Sequence, residues 1–303
     1  MRIAILGSGG VGGYYGALLA RAGQDVTFIA RGKHLQAIRE RGLRIESHHG
    51  DFEIRPAQAT DDPTRVGVVD LALFTVKSYD LRVMAERARA LFGPHTTALP
   101  LLNGLDAADQ LSEIIGAEHV LAGLTHISSS IVEPGVIRQV SAVRRITLGE
   151  QNGQITPRAE RIRDLLSSSG IQVALTPTVQ TALWEKFVFI ASISGVCCIA
   201  RQPMGPILST PETHKLYVDA LREVEAVGRA RGVALPPDIV ERTLEMSEGF
   251  APETKPSLLV DLEAGRRLEL EAMNGTVVRY GYEVSVPTPV HSVIYAALKP
   301  NLT

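Results

Sequence analysis

The chain has 303 residues, of which 45% are hydrophobic and 21% charged, with a formal net charge of −2. That length exceeds one small core and suits two domains, and the composition is that of an ordinary soluble globular protein, which excludes disorder. Lysines and arginines are scattered with no basic stripe, so nucleic acid is not an expected partner. The first strand-like run begins at Arg2, which leaves no room for a secretion signal, and no apolar run reads as a membrane span, so the expectation is a cytosolic protein with no membrane partner.

In chain order, residues 2–6 form a short apolar run, followed by glycines and by residues 11–22 with helix-forming composition. Gly23 acts as a stop, and residues 26–30 form a second apolar run. This reads as strand, tight turn, helix, strand. Strand-like runs follow at 71–76, 97–102 and 120–124, alternating with helical stretches at 81–92 and 107–115, a pattern that argues for a parallel sheet covered by helices. Residues 131–148 are strand-rich around a Glu133-Pro134-Gly135 turn, with a helix near 158–168 and a strand at 171–175, and they read as an extension of that sheet. Beyond Pro177 the texture turns helical, at 179–198, 215–231, 237–248, 257–264 and 268–280. The expected fold is therefore α/β, with a dinucleotide-binding domain at residues 1–177 followed by an all-helical domain at 178–303, and ligands are expected at a crevice between the two.

Cys197 and Cys198 are neighbours in an apolar segment, a spacing that suits neither a disulfide nor a tetrahedral metal site, and they read as core. His48-His49 precedes Gly50 in a polar stretch that reads as a turn, and no histidine pair has metal-ligand spacing. No metal is expected.

Gly7-Ser8-Gly9-Gly10-Val11-Gly12 matches G-x-G-x-x-G. The string is weak by itself, but here a strand precedes it and a helix follows. Gly7 would make the turn, Gly9 would let the backbone approach a pyrophosphate, and Gly12 would let helix and strand pack closely, with the helix N-terminus turned to the anion. At the end of the second strand, Phe28-Ile29-Ala30-Arg31-Gly32-Lys33 has no acid for a ribose 2′-hydroxyl, whereas Arg31 could pair with a 2′-phosphate. NADP(H) is thus the expected cofactor; otherwise Arg31 is a solvated residue of a βα loop.

Lys77 and Asn103-Gly104 follow apolar runs where strand C-termini open onto a ligand crevice, although a surface lysine and an Asn-Gly turn would look the same. Lys186 lies in Ala182-Leu183-Trp184-Glu185-Lys186-Phe187-Val188-Phe189-Ile190-Ala191, where an ammonium is costly unless paired, snorkelling or functional. Ser257, near a helix start, and Glu269, in the next helix, are candidates beside the plainer readings of an N-cap and a solvated face.

Together, the glycine motif, Val76-Lys77, Leu102-Asn103-Gly104, Leu183-Trp184-Glu185-Lys186, and the segment from Lys255-Pro256-Ser257 through Glu269 to Asn274-Gly275 resemble the ketopantoate reductase family from end to end. The resemblance implies a Rossmann domain joined to a helical one, and NADPH-dependent reduction of 2-dehydropantoate to pantoate. It casts Lys186 as the general acid that also polarises the 2-keto oxygen. Asn103 would touch cofactor and substrate, Lys77 the cofactor, Ser257 the substrate carboxylate, and Glu269 the nicotinamide ribose side of the crevice.

The sequence departs from the family where asparagines are expected four and eight residues beyond the lysine, since Ile190 and Ser194 stand there, and Met204 stands before Gly205 in place of another. Ile190 can neither donate nor accept, and Ser194 reaches less far. A related 2-oxo acid with a bulkier apolar group is therefore an alternative substrate. A β-hydroxyacid or polyol-phosphate dehydrogenase and a non-catalytic NADP(H) sensor are the other readings, opposed respectively by the 255–269 segment and by retention of Lys186 with Glu269. The helical domain's exposed faces are compatible with a homodimer.

Overall fold

The structure, a computed structural model, describes residues 1–302. Its chain divides into two units, one of Met1–Leu102 with Asp106–Val179, the other of Asn103–Leu105 with the chain from Gln180 onward.

The first unit begins with β1 (Arg2–Leu6), α1 (Gly10–Arg21), β2 (Asp25–Ile29) and α2 (Gly32–Arg41), then β3 (Leu43–Ser47), β4 (Phe52–Ile54), β5 (Gln58–Thr60), β6 (Leu71–Phe74), α3 (Leu81–Arg87), β7 (Thr97–Pro100) and α4 (Ala107–Ile115). It continues with β8 (Ala122–His126), β9 (Ser129–Glu133), β10 (Val136–Gln139), β11 (Arg145–Gly149), α5 (Pro157–Ser168) and β12 (Gln172–Leu175). Five strands form a wholly parallel sheet in the order β5-β2-β1-β6-β7. All four residues of β6 and of β7 are buried, as a parallel strand covered on both faces requires.

The stretch 131–148 does not extend this sheet as its composition suggested. The Glu133-Pro134-Gly135 turn closes a hairpin whose strand β10 pairs in parallel with β3, giving a separate four-stranded sheet, β4-β3-β10-β9. Ile131 and Val132, which point to opposite faces, are both exposed, because β9 is an edge strand of this sheet. A third sheet, β12-β11-β8, is joined to the first by the bridge between Ala98 and Val120. Helix α2 and strands β4 and β5 have little periodic signal, because only Leu35, Ala37 and Ile38 of α2 are buried and β4 and β5 have three residues each, whereas β3 alternates with Leu43 and Ile45 buried.

The hairpin lies directly on α1. A Cβ added at Gly10 would sit 2.2 Å from the Ser129 carbonyl oxygen, and one at Gly13 would sit 2.8 Å from the Ile137 side chain. Gly12 approaches the Gly7 carbonyl to 2.2 Å by the same measure.

The second unit contains α6 (Val179–Ala200), α7 (Met204–Ser209), α8 (Pro211–Ala230), α9 (Ile239–Glu248), α10 (Ser257–Glu263), a π-turn at Glu271–Gly275, α11 (Thr276–Glu283) and α12 (Pro289–Leu298). Against the expectation that no run reaches membrane-spanning length, α6 is long and apolar enough, with a mean hydropathy of 1.6 over its best window. That window is 67% buried in the protein, and residues 191–198 are buried without interruption, which describes a core helix apolar all round. Cys197 and Cys198 are buried free thiols in this helix, and burial pushes both up to about 12. The helix expected at 268–280 starts later, because a π-turn replaces its first turn and leaves Glu269 in irregular backbone.

The close approaches separate the glycines by cause. Gly10→Ala should destabilise the protein by about 1 to 3 kcal/mol, because backbone must move to admit the methyl group. Gly9→Ala, with nothing within 4 Å of its Cβ position, should leave the urea midpoint unchanged.

Candidate active site

Two constellations of candidate residues can be built, one in each unit. In the first, β1 ends at Gly7, which turns with φ +103°, a conformation that strains other residues. The Thr75 hydroxyl holds the Gly7 carbonyl at 2.8 Å, and both the amide and the hydroxyl of Ser8 donate to the Ile29 carbonyl, at 3.0 and 3.1 Å. His34, a residue with no sequence signal, braces the turn. Its Nδ1 accepts from the Gly135 amide at 3.1 Å, so its Nε2 carries the hydrogen and donates to the Ser8 carbonyl at 2.9 Å. Burial lowers the pKa of this imidazole and favours the neutral form that the geometry needs.

Gly9 caps α1 with no side-chain hydrogen bond, and the first turn has no acidic residue, so the leading amides are left to an anion. The φ of Gly9 is −75° and no protein atom lies near its Cβ position. Neither strain nor internal packing asks for glycine there; a group approaching from outside does, which fits a pyrophosphate. Val11 follows on the first turn, half-buried.

Arg31 is the N-cap residue of α2, with its side chain 85% exposed and 2.9 Å from Asp80. Asp80 closes the 3-10 turn Ser78–Asp80 that follows the half-buried Lys77. The ionic partner of Arg31 thus comes from the loop after β6, which no local reading of residues 28–33 could find.

In the second unit, Lys186 of α6 donates to Asn103 Oδ1 at 3.1 Å. The residue is half-buried overall, but its ammonium is enclosed. Burial lowers its pKa to about 8, against the pull of the nearby Glu269 carboxylate, which raises it. Glu269 is 5% exposed. Lys186, Asn103 and Glu269 are therefore brought together from three separate stretches of chain. Ile190 is half-buried one turn on, while Ser194 is 0% exposed and its hydroxyl has no hydrogen-bond partner. Ser257 is exposed as the first residue of α10, where Pro256 and not Ser257 is the N-cap. Met204 is buried at the start of α7, with its amide on the Thr254 carbonyl.

Residues 3–153 match the family described as ketopantoate reductase PanE/ApbA, and residues 178–301 match its C-terminal domain. The chain belongs to the ketopantoate reductase family. It is 32% identical to a 2-dehydropantoate 2-reductase from Halobacterium salinarum, covering 96% of this chain and 95% of that one. It is 30% identical to the uncharacterized oxidoreductase YkpB of Bacillus subtilis, covering 99% and 98%. The crystal structure of 2-dehydropantoate 2-reductase from Geobacter metallireducens superposes with a TM-score of 0.94 at 33% identity, covering 99% of each chain.

The chain is accordingly an NADP-dependent oxidoreductase of the oxo-acid-reducing type, with a Rossmann-like first unit and a helical second one. In this reductase the enclosed ammonium gives a pH expectation. A lysine whose pKa is lowered to about 8 is mostly protonated below that pH and neutral above it. Replacing Glu269 with Gln removes the charge that favours the protonated form, so the Lys186 midpoint should fall further. NMR of 13C-dimethylated lysines measures this directly, and an unchanged midpoint would refute the coupling.

Proposed function

We propose that the protein reduces a 2-oxo acid to the 2-hydroxy acid with NADPH, with 2-dehydropantoate as the substrate and pantoate as the product. The observation that carries this reading is Lys186 enclosed beside Asn103 and Glu269 on a mostly apolar helix. The bound dinucleotide supplies the hydride. The chain's own residues do the rest. The Lys186 ammonium holds the 2-keto oxygen, neutralises the charge that builds there, and gives up its proton to it. A pKa of about 8 makes both forms of this lysine accessible near neutrality.

Asn103 orients the ammonium and the substrate, and Glu269 favours the protonated lysine from the nicotinamide ribose side. Ser257, exposed at the first turn of α10, takes the substrate carboxylate. Gly7, Ser8, Gly9, Gly10, Val11 and Gly12 hold the pyrophosphate through backbone amides, with Lys77 as a cation on the cofactor. Arg31 pairs with the 2′-phosphate, for which it must leave or share Asp80.

A second substrate reading, a 2-oxo acid with a larger apolar group, is favoured by Ile190 and Ser194. An apolar side chain one turn from Lys186, and a hydroxyl shut away from solvent, offer the substrate no polar contact.

NADPH oxidation against a panel of 2-oxo acids, run with wild type and Lys186→Ala, tests the reading. Turnover is expected to fall at least a thousandfold in the variant; full turnover would remove Lys186 from the chemistry. Binding of NADPH without reduction of any oxo acid would point to a sensor. Ile190→Asn should improve use of 2-dehydropantoate, and a preference of the wild type for bulkier acids would select the second reading. For the cofactor, Arg31→Ala should raise Kd for NADPH at least tenfold more than for NADH. Asp80→Asn, which frees the guanidinium, should tighten NADPH; equal changes for both dinucleotides would refute the phosphate assignment.

A further inference from the structure

Two polar residues with no place in the proposed chemistry lie in the core of the helical unit. Asn274, on the π-turn, and His291, on α12, are both 0% exposed. The Asn274 amide nitrogen donates to the Ala191 carbonyl of α6 at 3.1 Å and faces His291 Nδ1 at 3.0 Å. His291 Nε2 lies 3.1 Å from the Ala220 carbonyl of α8. A carbonyl can only accept, so Nε2 carries the hydrogen, Nδ1 accepts, and both amide hydrogens of Asn274 are engaged. Glu223 fixes the start of α12 by accepting from the amides of Val290 and His291, at 2.7 and 3.0 Å. The chain of bonds runs from α8 through α12 and the π-turn to α6.

Its placement is what matters. Ala191 lies five residues beyond Lys186, and Asn274 lies five residues beyond Glu269. The tie therefore joins the two segments that carry the lysine and the carboxylate, about 7.5 Å along the helix from the lysine. Two local features exist to admit it. A Cβ at Gly195 would meet the Asn274 amide nitrogen at 2.6 Å, and the π-turn, closed by the Gly275 amide on the Leu270 carbonyl at 2.9 Å, adds the residue that turns Asn274 inward. The Asn274 amide answers two buried acceptors, the Ala191 carbonyl and His291 Nδ1, which an apolar residue would leave unpaired. One side chain that bonds to both α6 and α12 from the π-turn points to a role in placement.

We propose that Asn274 and His291 are positioning residues that hold the Glu269 segment against α6 and thereby fix the carboxylate beside the Lys186 ammonium. The inference rests on the proposed role of Lys186 for its bearing on catalysis, but not for its test. Glu269, from the segment before the π-turn, is the charged group that bears on Lys186, and Asn103 is its hydrogen-bonded polar neighbour. His291 is held neutral by burial, which lowers its pKa to about 4, so it does not titrate in the range used.

The experiment is a double-mutant cycle read by the titration of Lys186 in 13C-dimethylated full-length protein, with urea melts alongside. Asn274→Ala should lower the Lys186 midpoint by half a pH unit or more, in the direction of Glu269→Gln, and should have no further effect in the Glu269→Gln background. His291→Gln, which can accept from Asn274 and donate to Ala220, should restore most of the wild-type midpoint, whereas His291→Ala should not. With an oxo acid that the enzyme turns over, Asn274→Ala should reduce kcat about tenfold. A lower Tm with an unchanged midpoint would make the tie merely structural and overturn the proposal. So would a shift that persists without Glu269. Neither outcome depends on turnover, so the proposal fails separately from the assignment of Lys186 as the acid.

Discussion

Enclosing one ammonium in a helix built for the core is the constraint around which the helical unit is arranged. Helix α6 is buried without a break over residues 191–198 because the unit packs around it. A cation on such a helix must be compensated nearby, since leaving it alone in low dielectric would cost several kcal/mol. Asn103 and Glu269 supply that compensation incompletely, and the residual imbalance is visible in a lysine pulled down to about 8. A fully compensated lysine would keep its proton; an uncompensated one would lose it altogether. The intermediate state is the one suited to giving a proton to an oxygen on which charge develops.

In the first unit the turn after β1 is built from backbone, with Gly9 as the N-cap of α1 and no side chain capping the leading amides of that helix. The supports are all hydrogen bonds to carbonyls: Thr75 on Gly7, Ser8 on Ile29, and His34 on Ser8. The Arg31–Asp80 pair is ionic and exposed, where such pairs contribute at most about 1 kcal/mol and can be exchanged at little cost.

Much of this was legible in the chain. β1 and α4 match their sequence-based bounds, α1 and β2 are displaced by one residue, and Lys186 stands out because almost all of its neighbours are apolar. What escaped notice depends on long-range pairing or on local irregularity. The hairpin β9–β10 looked like more of the main sheet because strand periodicity reveals a strand and not its partner. The apolar length of α6 was missed because Glu185 and Lys186 interrupt its run. Glu269 was placed on a regular helix because a π-turn keeps helical composition while changing phase. Asp80 and His34 are ordinary surface residues by composition, and acquire meaning only through Arg31 and Ser8.

The close seating of the hairpin on α1 bears on how the nucleotide-binding unit forms. Gly10, Gly12, Gly13 and Gly16 all lie within α1, and each weakens an isolated helix by roughly 1 kcal/mol relative to alanine. Such a segment is a poor helix until something packs on it. Two of the surfaces that its glycines accommodate, Ser129 and Ile137, come from more than a hundred residues further along the chain. The strand-turn-helix that looks like a self-contained module therefore depends for part of its packing on contacts closed over a loop of more than a hundred residues.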